Sequence, residues 1–185
     1  VYAINVEALE KVQPKDLTAG EIGVRLGTTW IPEDVIEDFT FELLGTPWQY
    51  QHRIHIRYSK VTGEWNVSEK SIDRSNIRSY NTYGTGRINA YKIIEDTLNL
   101  RDVRIFDTFQ DADGREQRVL NKKETAIAQD KQDLIKQKFQ EWIWAEPNRR
   151  ERLCRIYNDK FNSIRPREYD GSHIVFAGMD PEKKL

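Results

Sequence analysis

Apolar residues recur at helical spacing at the front of the chain. Ile4, Val6, Ala8, Leu9 and Val12 predict a short helix, and Pro14 closes it. Thr18 followed by Glu21 has the spacing of a capping box, which predicts a second short helix over 19–26 stopped at Gly27. Pro32 then stands at a helix start with acids behind it, and Val35, Ile36, Phe39, Leu43 and Leu44 make one apolar face that ends at Gly45.

From Tyr50 the period changes to two. His52, Ile54, Ile56 and Tyr58 alternate with Arg53, His55 and Arg57, and a Thr62-Gly63 turn leads into Glu64–Val67, the pattern of a β-hairpin. Val103–Phe109 and Arg115–Leu120 flank an Asp113-Gly114 turn and predict a second hairpin. Between them a polar loop over 76–86 precedes a helix with apolar positions 88, 90, 93, 94 and 98. Asn121 then caps a long helix whose stripe is Ala126, Ile127, Leu134, Ile135, Phe139, Ile143 and Trp144. Pro147 starts a further helix with Leu153, Ile156, Tyr157 and Phe161 inward, expected to pack antiparallel on the long one. The fold class is therefore α+β and mainly helical, with a small antiparallel sheet from two hairpins and a long C-terminal helical hairpin. Its segments are an acidic helical stretch over 1–48, a hairpin-helix-hairpin lobe over 49–120, the helical hairpin over 121–163, and an extended tail over 164–185.

Composition narrows the classes. Across 185 residues, 32% are charged and 38% hydrophobic, and the mean hydropathy is −0.76. No apolar run approaches the roughly 20 residues of a spanning helix, so no membrane partner is expected. The N-terminus has no secretory pattern, and the single cysteine, Cys154, cannot form an internal disulfide, which fits a cytoplasmic protein. Cys154 reads as a small apolar residue on a helix face rather than a reactive thiolate.

The net charge of −1 hides an asymmetry. Residues 1–48 carry three Lys/Arg against nine Asp/Glu, whereas 147–167 carry seven Lys/Arg against two acids. Those seven are Arg149, Arg150, Arg152, Arg155, Lys160, Arg165 and Arg167, the candidate nucleic-acid-binding set. Guanidinium groups on one helix face neutralise phosphates without reading sequence, so duplex DNA is the expected partner. The competing reading is that they pair internally, with Asp130, Asp133 and Glu141 or with the acidic front. A helix-turn-helix reader is disfavoured, because its second helix would carry five acids and no base toward phosphate.

Other chemistry is weakly signalled. His52 and His55 fall on opposite faces of a strand and His173 is isolated, so no zinc set forms. Asp107, Asp111, Asp113 and Glu116 lack calcium-loop spacing and read as turn formers. Asp96, Asp102 and Asp107, with Arg104 nearby, are the acids a metal-dependent nuclease lobe would use. Tyr80, Tyr83, Gly84, Gly86 and Arg87 combine aromatic faces with a base, as single-strand platforms do, although such tyrosines more often cap a core.

Two stretches carry a family resemblance. YNDKFNSIRPREYDGSHIVFAGMDPEKKL, at the end, resembles the stretch just upstream of the ATPase motor in large mobile-element and phage proteins that fuse an N6-adenine DNA methylase to an SNF2-type helicase. NVEALEKVQPKDLTAGEIGVRLGTTWIP, from Asn5 to Pro32, is similar to the segment that follows the methylase half. The resemblance implies a piece of a larger protein, which Val1 in place of Met also suggests. It implies ATP, Mg²⁺ and S-adenosylmethionine as cofactors of the parent, none of them in this segment, with the adjacent ATPase and methylase domains as partners. Neither a G-x-x-x-x-G-K-[ST] phosphate loop nor an N-P-P-Y motif is present, so the family's catalytic residues have no counterpart here. The expected role is a non-catalytic coupling and DNA-contacting domain; a protein-docking module whose acidic 1–44 masks a neighbour's basic surface is the alternative.

Overall fold

The structure, a computed structural model, describes residues 4–7, 13–111 and 113–163. Residues 4–7 are helical. The expected helix over 19–26 is absent. Thr18 and Glu21 do bond as the spacing predicts, Oε2 of Glu21 accepting from both Thr18 N and Oγ1. The chain nevertheless makes one turn and stops, since Gly20, Gly23, Ile22 and Val24 all propagate a helix poorly.

Helix α1, Glu33–Leu44, follows; Pro32 is its N-cap, and Gly45 closes it in the left-handed conformation. Val35, Ile36, Phe39, Thr40 and Leu44 are buried. A four-residue helix α2, Trp48–Gln51, replaces the start of the alternating run, so the first hairpin is shorter than its pattern: β1 Ile56–Ser59 and β2 Glu64–Val67, in the register Ile56↔Val67. A π-helical segment, Arg78–Thr82, stands in the polar loop. Helix α3, Ala90–Leu98, is capped by Asn89, whose side chain accepts from Lys92 N. The second hairpin is β3 Phe106–Gln110 and β4 Glu116–Leu120, with Gly114 at positive φ in its turn. The four strands make two separate two-stranded sheets. Helix α4, Lys122–Ile143, is capped by Asn121 as expected, and α5, Pro147–Phe161, has Pro at its first turn. The domain is α+β and mainly helical, and among the described residues no helix is long and apolar enough to cross a membrane.

Two-stranded sheets are marginal alone, and this protein supports its first one with side chains from flanking helices. Glu33 and Glu37, one turn apart on α1, accept from Tyr58 N at 2.8 Å and Ile56 N at 2.9 Å, sealing the free edge of β1. Glu95 and Asn99, at the end of α3, accept from Val67 N at 2.9 Å and Trp65 N at 2.8 Å, sealing β2. The extended run 101–105 is sealed by α4. Gln132 accepts from Val103 N and donates to Arg101 O, and Thr125 accepts from Ile105 N.

That last role corrects the expected face of α4. Thr125, Ala128, Gln132, Ile135, Phe139 and Ile143 are buried, while Ile127 is exposed. The stripe is offset because two buried positions are polar and satisfied by backbone. The core lies between α1, α3 and α4, with Phe39 edge-on to Phe139 at 5.0 Å. Buried Tyr91 shares its hydroxyl with Thr46 at 2.7 Å and Asp73 at 3.2 Å.

Candidate functional site

Past the bend at Trp144, α5 takes partners from the end of α4 and, farther along, hydrogen-bonding and aromatic partners from the N-terminal segment. Asn158 is 5% exposed. Its Oδ1 accepts from Leu17 N at 2.8 Å, and its Nδ2 donates to Leu17 O at 2.9 Å. One helical turn on, Asn162 Nδ2 donates to Lys15 O at 2.8 Å and also to Asn158 Oδ1. Trp30 meets Tyr157 edge-on at 5.3 Å. A side-chain amide that bonds both groups of one distant backbone residue imitates a strand pair, fixing position and direction together. Leu153 is fully buried in this packing and Ile156 and Tyr157 partly, whereas Phe161, expected inside, is exposed.

The seam consumes part of the basic set. Arg149 lies with its guanidinium 3.4 Å from the Trp142 ring centroid and donates to the Ile143 and Trp142 carbonyls, capping the end of α4. Burial there holds its pKa below the usual arginine value. Arg152 binds Asp34 through two bonds, 2.6 and 3.2 Å, and the Asp34 carboxyl is held below the usual range by that hydrogen bond. Arg155 lies 3.3 Å from Asp159 and 3.9 Å from Asp16. Arg150 donates to Trp144 O and forms no salt bridge among the described residues; Lys160 is exposed and likewise forms none. Arg165 and Arg167 lie outside the described residues. Thus α5 offers Arg150, Lys160 and, in part, Arg155 to a partner. Its internal acids are Asp159 on α5 itself and Asp16 and Asp34 from the front of the chain, while Asp133 and Glu141 of α4 pair with Lys136 and Lys138.

The nuclease set does not assemble. Asp96 is bonded by Lys92 at 2.8 Å, Asp107 by Arg87 and Asn121, and Asp102 stands apart beside Arg101 and Lys136. Among the described residues no group of three His, Cys, Asp or Glu is placed to hold a metal ion. Burial pushes the Cys154 thiol up, away from a reactive thiolate. Glu95 is drawn on by three donors: burial works to raise its pKa, but hydrogen bonds from Lys70, Val67 N and Lys92 outweigh it and the net shift is downward.

Tyr80 and Tyr83 do not form one platform. Tyr80, with Gly84–Gly86, lines an open cleft of about 630 Å³ together with Arg74, Ile77, Ile127 and Lys131, and among the described residues no carboxylate lines it. Tyr83 faces a different hollow, beside Trp142 and Glu141. Arg87 is engaged by Asp107 and Phe106 O. The seam residues Asn158 and Asn162 drew no attention in the sequence; the only signal was two asparagines four apart on the inner side of a helix.

An α+β domain, mainly helical, with its basic last helix tied to its acidic front, is what fold and site define. The family described as Domain of unknown function (DUF8437) matches residues 25–163, and the chain belongs to it. That match runs from just before α1 to the end of α5. No curated protein and no solved structure matches the chain.

Proposed function

We propose that the chain is a non-catalytic coupling domain that holds a DNA methylase and an SNF2-type motor at a fixed separation in one polypeptide. The observation that carries this reading is the seam. Asn158 and Asn162, at the end of α5, bond Leu17 and Lys15 directly. The segment at 15–17 and the end of α5 are therefore held side by side by backbone-directed hydrogen bonds, a rigid link where a flexible one would let each side move alone. The methylase and the motor enter through the resemblance of 5–32 and of the final stretch.

The test is made in the uninterrupted parent protein. Asn158→Ala with Asn162→Ala is expected to leave methylation of free DNA and DNA-stimulated ATP hydrolysis each intact, while abolishing the dependence of methylation on ATP. A coding sequence with no phosphate-loop motif downstream, or a double variant with coupling unchanged, rejects the proposal.

Phosphate contact is a second reading, favoured by Arg150 and Lys160 lying exposed beside Arg155 and, among the described residues, without a salt bridge. Together with Arg165 and Arg167 they would grip duplex DNA without sequence preference. Affinity of the chain for a random duplex is expected to fall steeply with salt, and Arg150→Glu with Lys160→Glu to reduce the log-log slope by about 2. DNA affinity that is absent at low salt refutes this reading and leaves the coupling role standing.

A further inference from the structure

We infer that the outer edge of β4 is an interface with a second copy of this chain, joining two β3–β4 hairpins into one four-stranded antiparallel sheet. The starting point is a contrast within the molecule. Both edges of the β1–β2 sheet are sealed by helix side chains, and so is the run 101–105. The β3–β4 hairpin projects past this support, with Phe109 and Val119 each 51% exposed on one face and Leu120 exposed on the other. A two-stranded ribbon is marginal in water, and an unpaired edge is a template for another strand.

Register decides which groups are free. Asn121 N bonds Ile105 O and Asp111 N bonds Arg115 O, so the pairs 105/121, 107/119, 109/117 and 111/115 turn their backbone groups toward each other. The backbone of Phe106, Thr108 and Gln110 on β3, and of Glu116, Arg118 and Leu120 on β4, therefore points outward. The β3 edge is obstructed: Arg87 donates to Phe106 O at 2.9 Å and pairs with Asp107 at 2.8 Å. Among the described residues nothing bonds the outward groups of Glu116 or Arg118.

The residues on that edge fit their own copy. An antiparallel pairing with its two-fold axis at Gln117 sets Glu116 opposite Arg118 of the second copy, and Arg118 opposite its Glu116. Those are the residues whose N–H and C=O face outward, so the two pairs exchange four backbone hydrogen bonds while their side chains alternate in sign. A row of lysines would repel such a copy; this alternation accepts it. With so few contacts the dimer belongs to the weak class, with a Kd on the order of 100 μM.

Sedimentation velocity of the full chain from about 5 to 500 μM is expected to show a reversible monomer–dimer equilibrium. Arg118→Pro removes an outward N–H and leaves the ladder to β3 intact; it is expected to abolish the dimer with the far-UV spectrum and melting temperature retained. Should that variant fold poorly, Arg118→Glu is expected to weaken association at least tenfold, and Glu116→Arg with Arg118→Glu to restore it. In a Cys154→Ser background, Gln117→Cys is expected to form an interchain disulfide on mild oxidation, since the two-fold brings like residues about 4.5 Å apart at Cα, whereas Thr108→Cys does not. A monomer throughout the range, a dimer indifferent to residue 118, or equal cross-linking at 108 overturns the inference. The outcome is independent of the seam, so it does not bear on coupling.

Discussion

Asn158→Ala is the sharpest probe of the seam. The substitution removes an acceptor 2.8 Å from Leu17 N and a donor 2.9 Å from Leu17 O, and it also releases Cys154 O and Asn162 Nδ2. The Leu17 groups are part-buried, so water partly replaces the lost bonds. Each bond is then worth about 1 kcal/mol, toward the low end of the cost of a fully orphaned group. Two such losses plus reduced packing at a buried position come to about 2–3 kcal/mol. For a chain of this size that corresponds to a fall in melting temperature of about 5–10 °C. Urea denaturation followed by tryptophan fluorescence reports the change, because Trp30 sits against Tyr157 in the same seam. Hydrogen exchange at the Leu17 amide separates a local opening from general loss of stability: its protection is expected to collapse while amides of the buried α3 helix are protected in proportion to global stability. A variant within about 0.5 kcal/mol of the parent chain, with Leu17 protection unchanged, refutes the claim that this amide ties the front to the last helix.

Three further outcomes follow from other contacts. Asp34 is held below its usual range by Arg152, so the folded state binds fewer protons; the pair's contribution is present above about pH 3.9 and is lost as pH falls through the folded pKa. Both side chains are half exposed, so Asp34→Asn is expected to cost at most about 0.5 kcal/mol at neutral pH, and a carboxyl-carbon NMR titration placing Asp34 at or above the free value contradicts it. Gly84→Ala would put a Cβ 2.1 Å from Ser79 O and 2.9 Å from Ala90 N, which costs about 3 kcal/mol by urea denaturation; a neutral result means the π-helical loop is not packed as described. Leu100 has φ +57° yet is 62% exposed, closing α3 where Arg101 N bonds Asp96 O and Leu100 N bonds Thr97 O. Leu100→Gly is therefore expected to stabilise the domain by about 0.5–1 kcal/mol in a thermal melt, and a destabilised variant shows that its lean over Gly27 outweighs the backbone strain.

The parts of the fold that were legible in the sequence are those set by local chemistry. Asn121 and Pro147 mark helix starts and Gly45 a helix stop, and Thr62-Gly63 and Asp113-Gly114 mark the hairpin turns, because caps and positive-φ turns act within a few residues. The failures lie where distant backbone overrides a local rule. The 19–26 segment has its capping bonds, but its glycines and β-branched residues leave continuation to tertiary contacts that favour turns. Thr125 and Gln132 look like solvent positions and are buried, since an extended run 20 to 31 residues earlier needs partners. The basic run was visible as charge, yet Arg152 and Asp34 are 118 positions apart, and no periodicity reports such a pair.

The distribution of carboxylates bears on where function resides. Glu33, Glu37 and Glu95 look like a solvated acidic surface, yet each accepts a strand N–H, and Glu33 also lies in the first turn of α1, where the helix dipole favours negative charge. Part of the acidic front is in this way spent on the fold: Glu33 and Glu37 close β1, and Asp34 and Asp16 meet Arg152 and Arg155 of α5. A small domain with two-stranded sheets needs such closure, because its strands have no third neighbour to satisfy them. Among the described residues the β3–β4 ribbon receives no helix carboxylate along β4, and the last helix keeps Arg150 and Lys160 exposed without a salt bridge. Those two surfaces, one uncharged in sum and one positive, are where the forces that build this fold have been left unbalanced, and an external partner would balance each by a different chemistry.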